Sequence, residues 1–279
     1  MSPKISLLAL IALLTLALAG CSSGNKSGEV KLATDSLVET GSFKKSNGEV
    51  CKMKANVVVS YPQDFKDSTA LAGLQQLFMT NVLKTPSGVK AMKEAIKFYA
   101  QSIINQNTPS QYGNTRASND SIDDDYDEID IDQFESNVVI NVVFNDNDVI
   151  SFCKEETIKK NDQVTSVSHH YVNFDLQSMK RITLNDLFRD DSLDKISQQL
   201  KSQLMDDKDA SNEDELNDLG YFNLPNLTVT GNFYFTPSGI TWSYDPSVVA
   251  VASVGEPTIN IDYDDLQDYL SDDSIIKRM

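Results

Sequence analysis

Two histidines, three cysteines and one tryptophan are all that a chain of 279 residues carries of some of the most chemically versatile side chains. No Cys-x-x-C pair, no His-x-x-x-His and no Gly-x-Ser-x-Gly occurs. This removes the sequence basis for dithiol or structural-zinc chemistry, for zincin-type hydrolysis and for a nucleophile elbow. Cations are also scarce, with 24 Lys and Arg against 41 Asp and Glu and a formal charge of −17. Such a balance argues against direct contact with nucleic acid. It suits a cationic protein, a polyamine or a divalent metal as partner, and equally a soluble surface that needs none. Long apolar runs are missing except at the very start, where Ile5 to Leu18 is nearly unbroken. That run is shorter than the roughly 18–20 residues a bilayer-crossing helix needs.

What is present begins there. Lys4 gives a positive start, and Leu18-Ala19-Gly20-Cys21 closes the run with small residues before a cysteine. The pattern is that of a secretion signal, residues 1–20. Its last four residues resemble the lipobox of bacterial lipoproteins, which implies cleavage before Cys21 and lipid modification of that residue. Several acyl chains on one residue hold a protein stably at a membrane, where a single chain binds only marginally. The expected location is therefore the cell envelope, lipid-anchored at the outer membrane or another extracytoplasmic face, periplasmic or surface-exposed. Residues 21–48, rich in Ser, Gly, Lys and Asn, read as a flexible tether.

From residue 49 the patterning is that of an α+β protein, with antiparallel sheets, amphipathic helices on one face and two small subdomains. The N-terminal part spans 49–133. Its first strand alternates Cys51, Met53, Ala55, Val57 and Val59 with polar residues. One helix follows on Leu71, Leu74, Phe78 and Val82, and a second on Val89, Met92, Ile96, Tyr99 and Ile103, with Thr85 as cap and Pro86 at the first helical position. The run Asp123 to Asp132 spaces Asp123, Asp125 and Asp127 like a calcium loop. Glu128 stands where the turn glycine is needed and Phe134 where the bidentate Glu belongs, so the run reads as a solvated acidic loop and no metal site is expected.

The C-terminal part, 134–279, opens on a meander. Phe134, Ser136, Val138, Ile140, Val142 and Phe144 share one strand face, Asn145 to Asp148 turns, Val149 to Ile158 returns, and Val164 to Asp175 is the third strand. On this third strand His169 shares a face with Val167 and Tyr171, and His170 points the other way, so the pair cannot clasp one metal ion. Leu193, Ile196, Leu200 and Leu204 define a helix. Leu227 to Phe235, Ile240 to Tyr244 and Thr258 to Tyr263 are strands, and Leu266, Tyr269 and Leu270 close on a short helix.

The order Tyr171-Val-Asn-Phe-Asp-Leu176, Ile182-Thr-Leu-Asn-Asp-Leu-Phe188, Phe233-Tyr-Phe-Thr-Pro-Ser-Gly-Ile-Thr-Trp-Ser-Tyr244, Gly255-Glu256 and Ile259-Asn-Ile-Asp-Tyr263 resembles the C-terminal domain of the RsiV family. That domain of undefined role recurs in envelope lipoproteins, in an anti-sigma-factor ectodomain and beside PdaC-type deacetylase domains, and a small α+β domain usually precedes it. Two segments depart from the family pattern. Thr165-Ser-Val-Ser-His169 stands in place of Thr-Gly-Gly-Ala-His, and Val248 to Val254 replaces a segment containing Pro-Tyr.

The resemblance implies a non-enzymatic, lipid-anchored binding protein whose partner is a cationic protein such as a lysozyme-like enzyme, or another envelope or cell-wall component. The competing class is a peptidoglycan-associated envelope enzyme or an accessory domain of one. No cofactor is expected. Candidate binding residues are His169, Tyr171, Trp242 and Tyr244, with no catalytic residue assigned. Cys51 and Cys153 are left either bonded to one another, in an oxidising compartment, or as two buried thiols.

Overall fold

A computed structural model describes residues 29–45, 47–108, 131–224 and 227–279. The signal segment, Cys21 and most of the acidic loop, residues 123–130, lie outside the described residues.

The backbone of the molecule is a six-stranded sheet in the order β1 (Lys31–Lys44), β2 (Val50–Asp64), β3 (Gln133–Asp146), β4 (Val149–Lys160), β5 (Gln163–Asp175) and β6 (Lys180–Ile182). The sheet is mixed, where antiparallel pairing was expected. Neighbours are antiparallel except β2 and β3, which run parallel with Val57 opposite Val138. The reason lies in the connection: α1 (Ser68–Asn81) and α2 (Met92–Gln106) are inserted between the two strands, and a crossover of this length returns the chain to the end where β2 began. The sheet thus runs unbroken across the boundary expected at 133/134.

β1 corrects the flexible tether. Half of it faces the helices, where Leu37, Glu39, Gly41 and Phe43 alternate with exposed residues. Only two of those four are large and apolar, which hides the period of two, yet Leu37 and Phe43 pack on the core and Gly41 admits Ile104 where any Cβ would collide with it.

One face of the sheet carries Met53, Val57, Val138, Ile140, Ile150, Phe152 and Phe174 against α1 and α2. Asp67 caps α1 through hydrogen bonds from the Thr69 and Ala70 amides. Thr85 does not start α2. Its amide and hydroxyl both donate to the Met79 carbonyl at 3.0 Å, which ties off the end of α1. Gly88 at φ +109° then separates Pro86 from a helix whose cap is Ala91.

The opposite face receives the C-terminal layer. This comprises α3 (Leu184–Leu187), α4 (Leu193–Asp207), α5 (Glu213–Asp218), α6 (Tyr263–Leu266) and a three-stranded antiparallel sheet of β7 (Phe233–Phe235), β8 (Gly239–Ser243) and β9 (Thr258–Asp262). Phe144 belongs to this layer rather than to the face of Phe134. A bulge between Val142 and Phe144 adds one residue to β3, and one extra residue reverses every later side chain. Phe144 therefore meets Phe235, ring centroids 6.3 Å apart. The result is three layers, helices on sheet on a smaller α+β unit, with two apolar cores separated by the large sheet.

Candidate functional site at His169 and the cleft behind it

β6 is short and pairs with β5 only from Asn173 to Asp175. Further back, at His169 to Tyr171, the edge of β5 has polar backbone groups to satisfy, and a single side chain does so. The Asn232 amide donates to the His169 carbonyl at 2.9 Å and its oxygen accepts from the Tyr171 amide at 2.9 Å. A carboxamide offers a donor and an acceptor side by side, so it stands in for one residue of a neighbouring strand. Gly231, just before it, marks the loop but nothing in the sequence announces this role.

With that edge fixed, alternation places His169 and Tyr171 toward the C-terminal layer. His169 Nδ1 donates to Glu256 Oε2 at 2.6 Å, and the Ser243 hydroxyl donates to Glu256 Oε1. Glu155, across β4, lies 3.7 Å from the other imidazole nitrogen. Tyr171 stacks on Tyr234 at 4.4 Å between ring centroids and shares a hydrogen bond with the Cys153 thiol. Burial pushes the Cys153 thiol up to about 11, with the Tyr171 hydrogen bond opposing and the Glu155 and Glu256 charges adding. Burial likewise raises the Tyr171 hydroxyl, followed by its proximity to Cys153 and Tyr234.

Of the four candidate residues, His169 and Tyr171 come together here. Trp242 and Tyr244 do not. Trp242 is fully buried in the C-terminal core between Phe188 and Phe233, and the buried Tyr244 donates its hydroxyl to the Thr228 carbonyl. Both are packing residues. Cys51 and Cys153 are buried free thiols. The register explains why: Cys51 sits beside the start of β3, whereas Cys153 pairs with Asn141. Nine residues along a strand separate the two levels by about 30 Å, against the roughly 4.4–6.8 Å between Cα atoms that a disulfide spans.

His170, on the other face of β5, borders a cleft of about 460 Å³ that sequence reading missed. Its floor is Tyr99 from α2 with Phe152 and Val172, and its rim carries Lys84, Lys154, Arg181 and Asn232. Among the described residues no carboxylate lines it. The cations come from the loop after α1, from β4 and from β6, three places far apart in the chain, so no local motif marks them. Among the described residues no group of three His, Cys, Asp or Glu side chains is placed to hold a metal ion.

Residues 185–264 match the family described as a protein of unknown function, DUF3298. That span contains Asn232, Ser243 and Glu256, whereas His169 and Tyr171 precede it. No curated protein matches the chain. Among solved structures it is similar to a member of the DUF3298 family from Bacteroides fragilis NCTC 9343. There the identity is 18% and the TM-score 0.64, over 90% of this chain and 98% of that one. It is also similar to a DUF3298 family protein from Pseudomonas aeruginosa PAO1, at 12% identity and a TM-score of 0.52, over 88% and 97% of the two chains. At these identities the likeness is one of fold, and it is consistent with the RsiV-like pattern. The chain carries a DUF3298 domain of unknown function within an α+β fold that extends across nearly the whole of both relatives.

Proposed function

We propose that the protein is a lipid-anchored component of the cell envelope, held on an extracytoplasmic face through Cys21, that binds a partner without transforming it. The observation that carries the non-enzymatic reading is the pairing at His169. A serine nucleophile needs the imidazole to take its proton. Here Glu256 stands between the two, with its carboxylate engaged by Ser243 on one oxygen and by His169 on the other. Such an arrangement joins β5, β8 and the segment before β9 rather than activating the hydroxyl.

The partner class follows from charge. The mature chain, without Lys4, keeps 23 basic against 41 acidic side chains, near −18, and acidic residues crowd α4 to α5 and the turn Asp272-Asp273. A cationic envelope protein, a lysozyme-like enzyme for instance, is drawn to such a surface. Calorimetry of the protein against lysozyme at low and at high salt tests this. Binding at low salt that weakens at high salt supports it, and no heat at low salt removes the cationic-partner reading.

A further inference from the structure

On this acidic surface a cluster of cations coincides with a concavity. Three cationic side chains, Lys84, Lys154 and Arg181, converge on the cleft beside His170, in a chain whose formal charge is −17. Like charges gathered at one place repel one another unless something compensates them. Lys154 is compensated, at 3.2 Å from Glu156. Among the described residues neither Lys84 nor Arg181 makes an ion pair or a side-chain hydrogen bond. Arg181 also borders a second depression lined by Asp175, Asp186 and Asp272, yet it forms no ion pair with any of them. Lys84 is held at φ +53°, a backbone conformation unusual for a side chain of this kind. Burial, then the Arg181 and Lys154 charges, lower its pKa, so both of those charges act on Lys84.

We propose that this cleft is a binding site for a small organic oxyanion. Its charged group rests between Lys84 and Arg181, and its apolar body lies on Tyr99, Phe152 and Val172. A planar guanidinium fits carboxylate and phosphate oxygens alike, and the lysine adds a compact charge beside it. An apolar floor with a few convergent polar groups, located where two parts of a fold meet, is the usual build of a small-molecule site. Here α1, α2 and the sheet supply one wall and the Thr230 to Asn232 loop of the C-terminal layer supplies the other. Asn232 binds the edge of β5 at His169 and Tyr171 as well, so the loop wall is fixed before any ligand arrives.

The test is titration calorimetry of the full-length protein with three probes of similar size: phenyl phosphate, benzoate and the neutral benzyl alcohol. Saturable binding of phenyl phosphate or benzoate, with none of benzyl alcohol, is expected, and whichever anion binds tighter identifies the oxyanion. Lys84→Gln and Arg181→Gln should each weaken that binding by roughly tenfold, the loss of one charge-assisted contact. Lys195→Gln, at an exposed position of α4, should leave it unchanged. Among the described residues Lys84 makes no ion pair or side-chain hydrogen bond, so its variant removes no such bond from the fold. Absence of saturation by either anion at millimolar concentration overturns the proposal, as does equal binding of benzyl alcohol or unchanged affinity in both cleft variants. Lysozyme binding reads the acidic surface instead, so failure of that proposal and failure of this one are seen separately.

Discussion

His169 and Glu256, 87 residues apart in the chain, meet at 2.6 Å and join the long third strand of the meander to the segment that leads into β9. The Glu256 side chain is only 12% exposed. It holds Ser243 through its second oxygen, so one carboxylate fastens the C-terminal layer to the large sheet.

Replacing Glu256 by Gln should therefore lower stability by about 1.5–3 kcal/mol, the range for hydrogen bonds involving a charged group. His169→Gln should do the same. Urea denaturation checks both through the midpoint. A structural pair predicts that binding in the cationic cleft survives in either variant while it remains folded. An unchanged midpoint would show that the contact does not support the fold.

The two inner thiols should be inert in the native protein. Burial raises both, Cys153 to about 11 and Cys51 also upward, with Lys45 opposing and Asp132 adding at the latter. Because the thiolate is the reacting form, little of it exists near pH 8. Alkylation followed by peptide mapping should find Cys51 and Cys153 unlabelled under native conditions and both labelled in denaturant, with no disulfide peptide linking them.

The sequence made much of this frame readable, for reasons that differ from element to element. The meander from Phe134 to Asp175 was legible because each strand alternates strongly and Asn145 to Asp148 and Lys159 to Gln163 mark its turns. α4 was legible from Ile196, Leu200 and Leu204, which are all buried. β1 was not, since Glu39 and Gly41 occupy its inner face. Nor was the reversal at Phe144, because a bulge depends on how two strands pair and leaves no trace in one of them. Trp242 and Tyr244 looked like binding aromatics, but aromatic residues fill cores as readily as they line sites. The cleft was illegible because its cations lie on three separate elements.

At low pH the attachment of the C-terminus should loosen first at Asp175. Burial raises this carboxyl, but hydrogen bonds from the Gln177 amide and from the Ser178 hydroxyl and amide outweigh it, and Arg278 at 2.7 Å adds to them, so the pKa falls below the ordinary carboxylate value. A depressed folded-state pKa contributes stability that is present above the unfolded value, about 3.9, and is lost as pH falls through the folded value. Asp175→Asn should thus be less stable than the parent at pH 7, by about 1–3 kcal/mol. The gap should close on acidification below about pH 4, as measured by thermal melts across pH. A gap that stays constant with pH would contradict the assignment.

Gly239 should not tolerate alanine. A Cβ there would collide with the Ile261 carbonyl oxygen and come within 2.8 Å of its carbon and 2.9 Å of the Asp262 Cα. These are backbone atoms of the paired strand β9, and they can yield only if the strands separate. Gly239→Ala is expected to destabilise by about 3 kcal/mol, the upper end for overpacking, whereas Gly231→Ala, with open space around it, should be near neutral. Denaturant midpoints of the two variants decide the matter.

The envelope partner proposed for this protein presupposes that the domain stands outside the cytoplasm on a lipid, and the mass of its first peptide tests that most directly. For protein extracted from the envelope fraction, mass spectrometry should find a chain that begins at Cys21, lacks residues 1–20 and carries the added mass of several acyl chains on that cysteine. A chain that retains Met1, or one that begins elsewhere with an unmodified Cys21, would contradict the account.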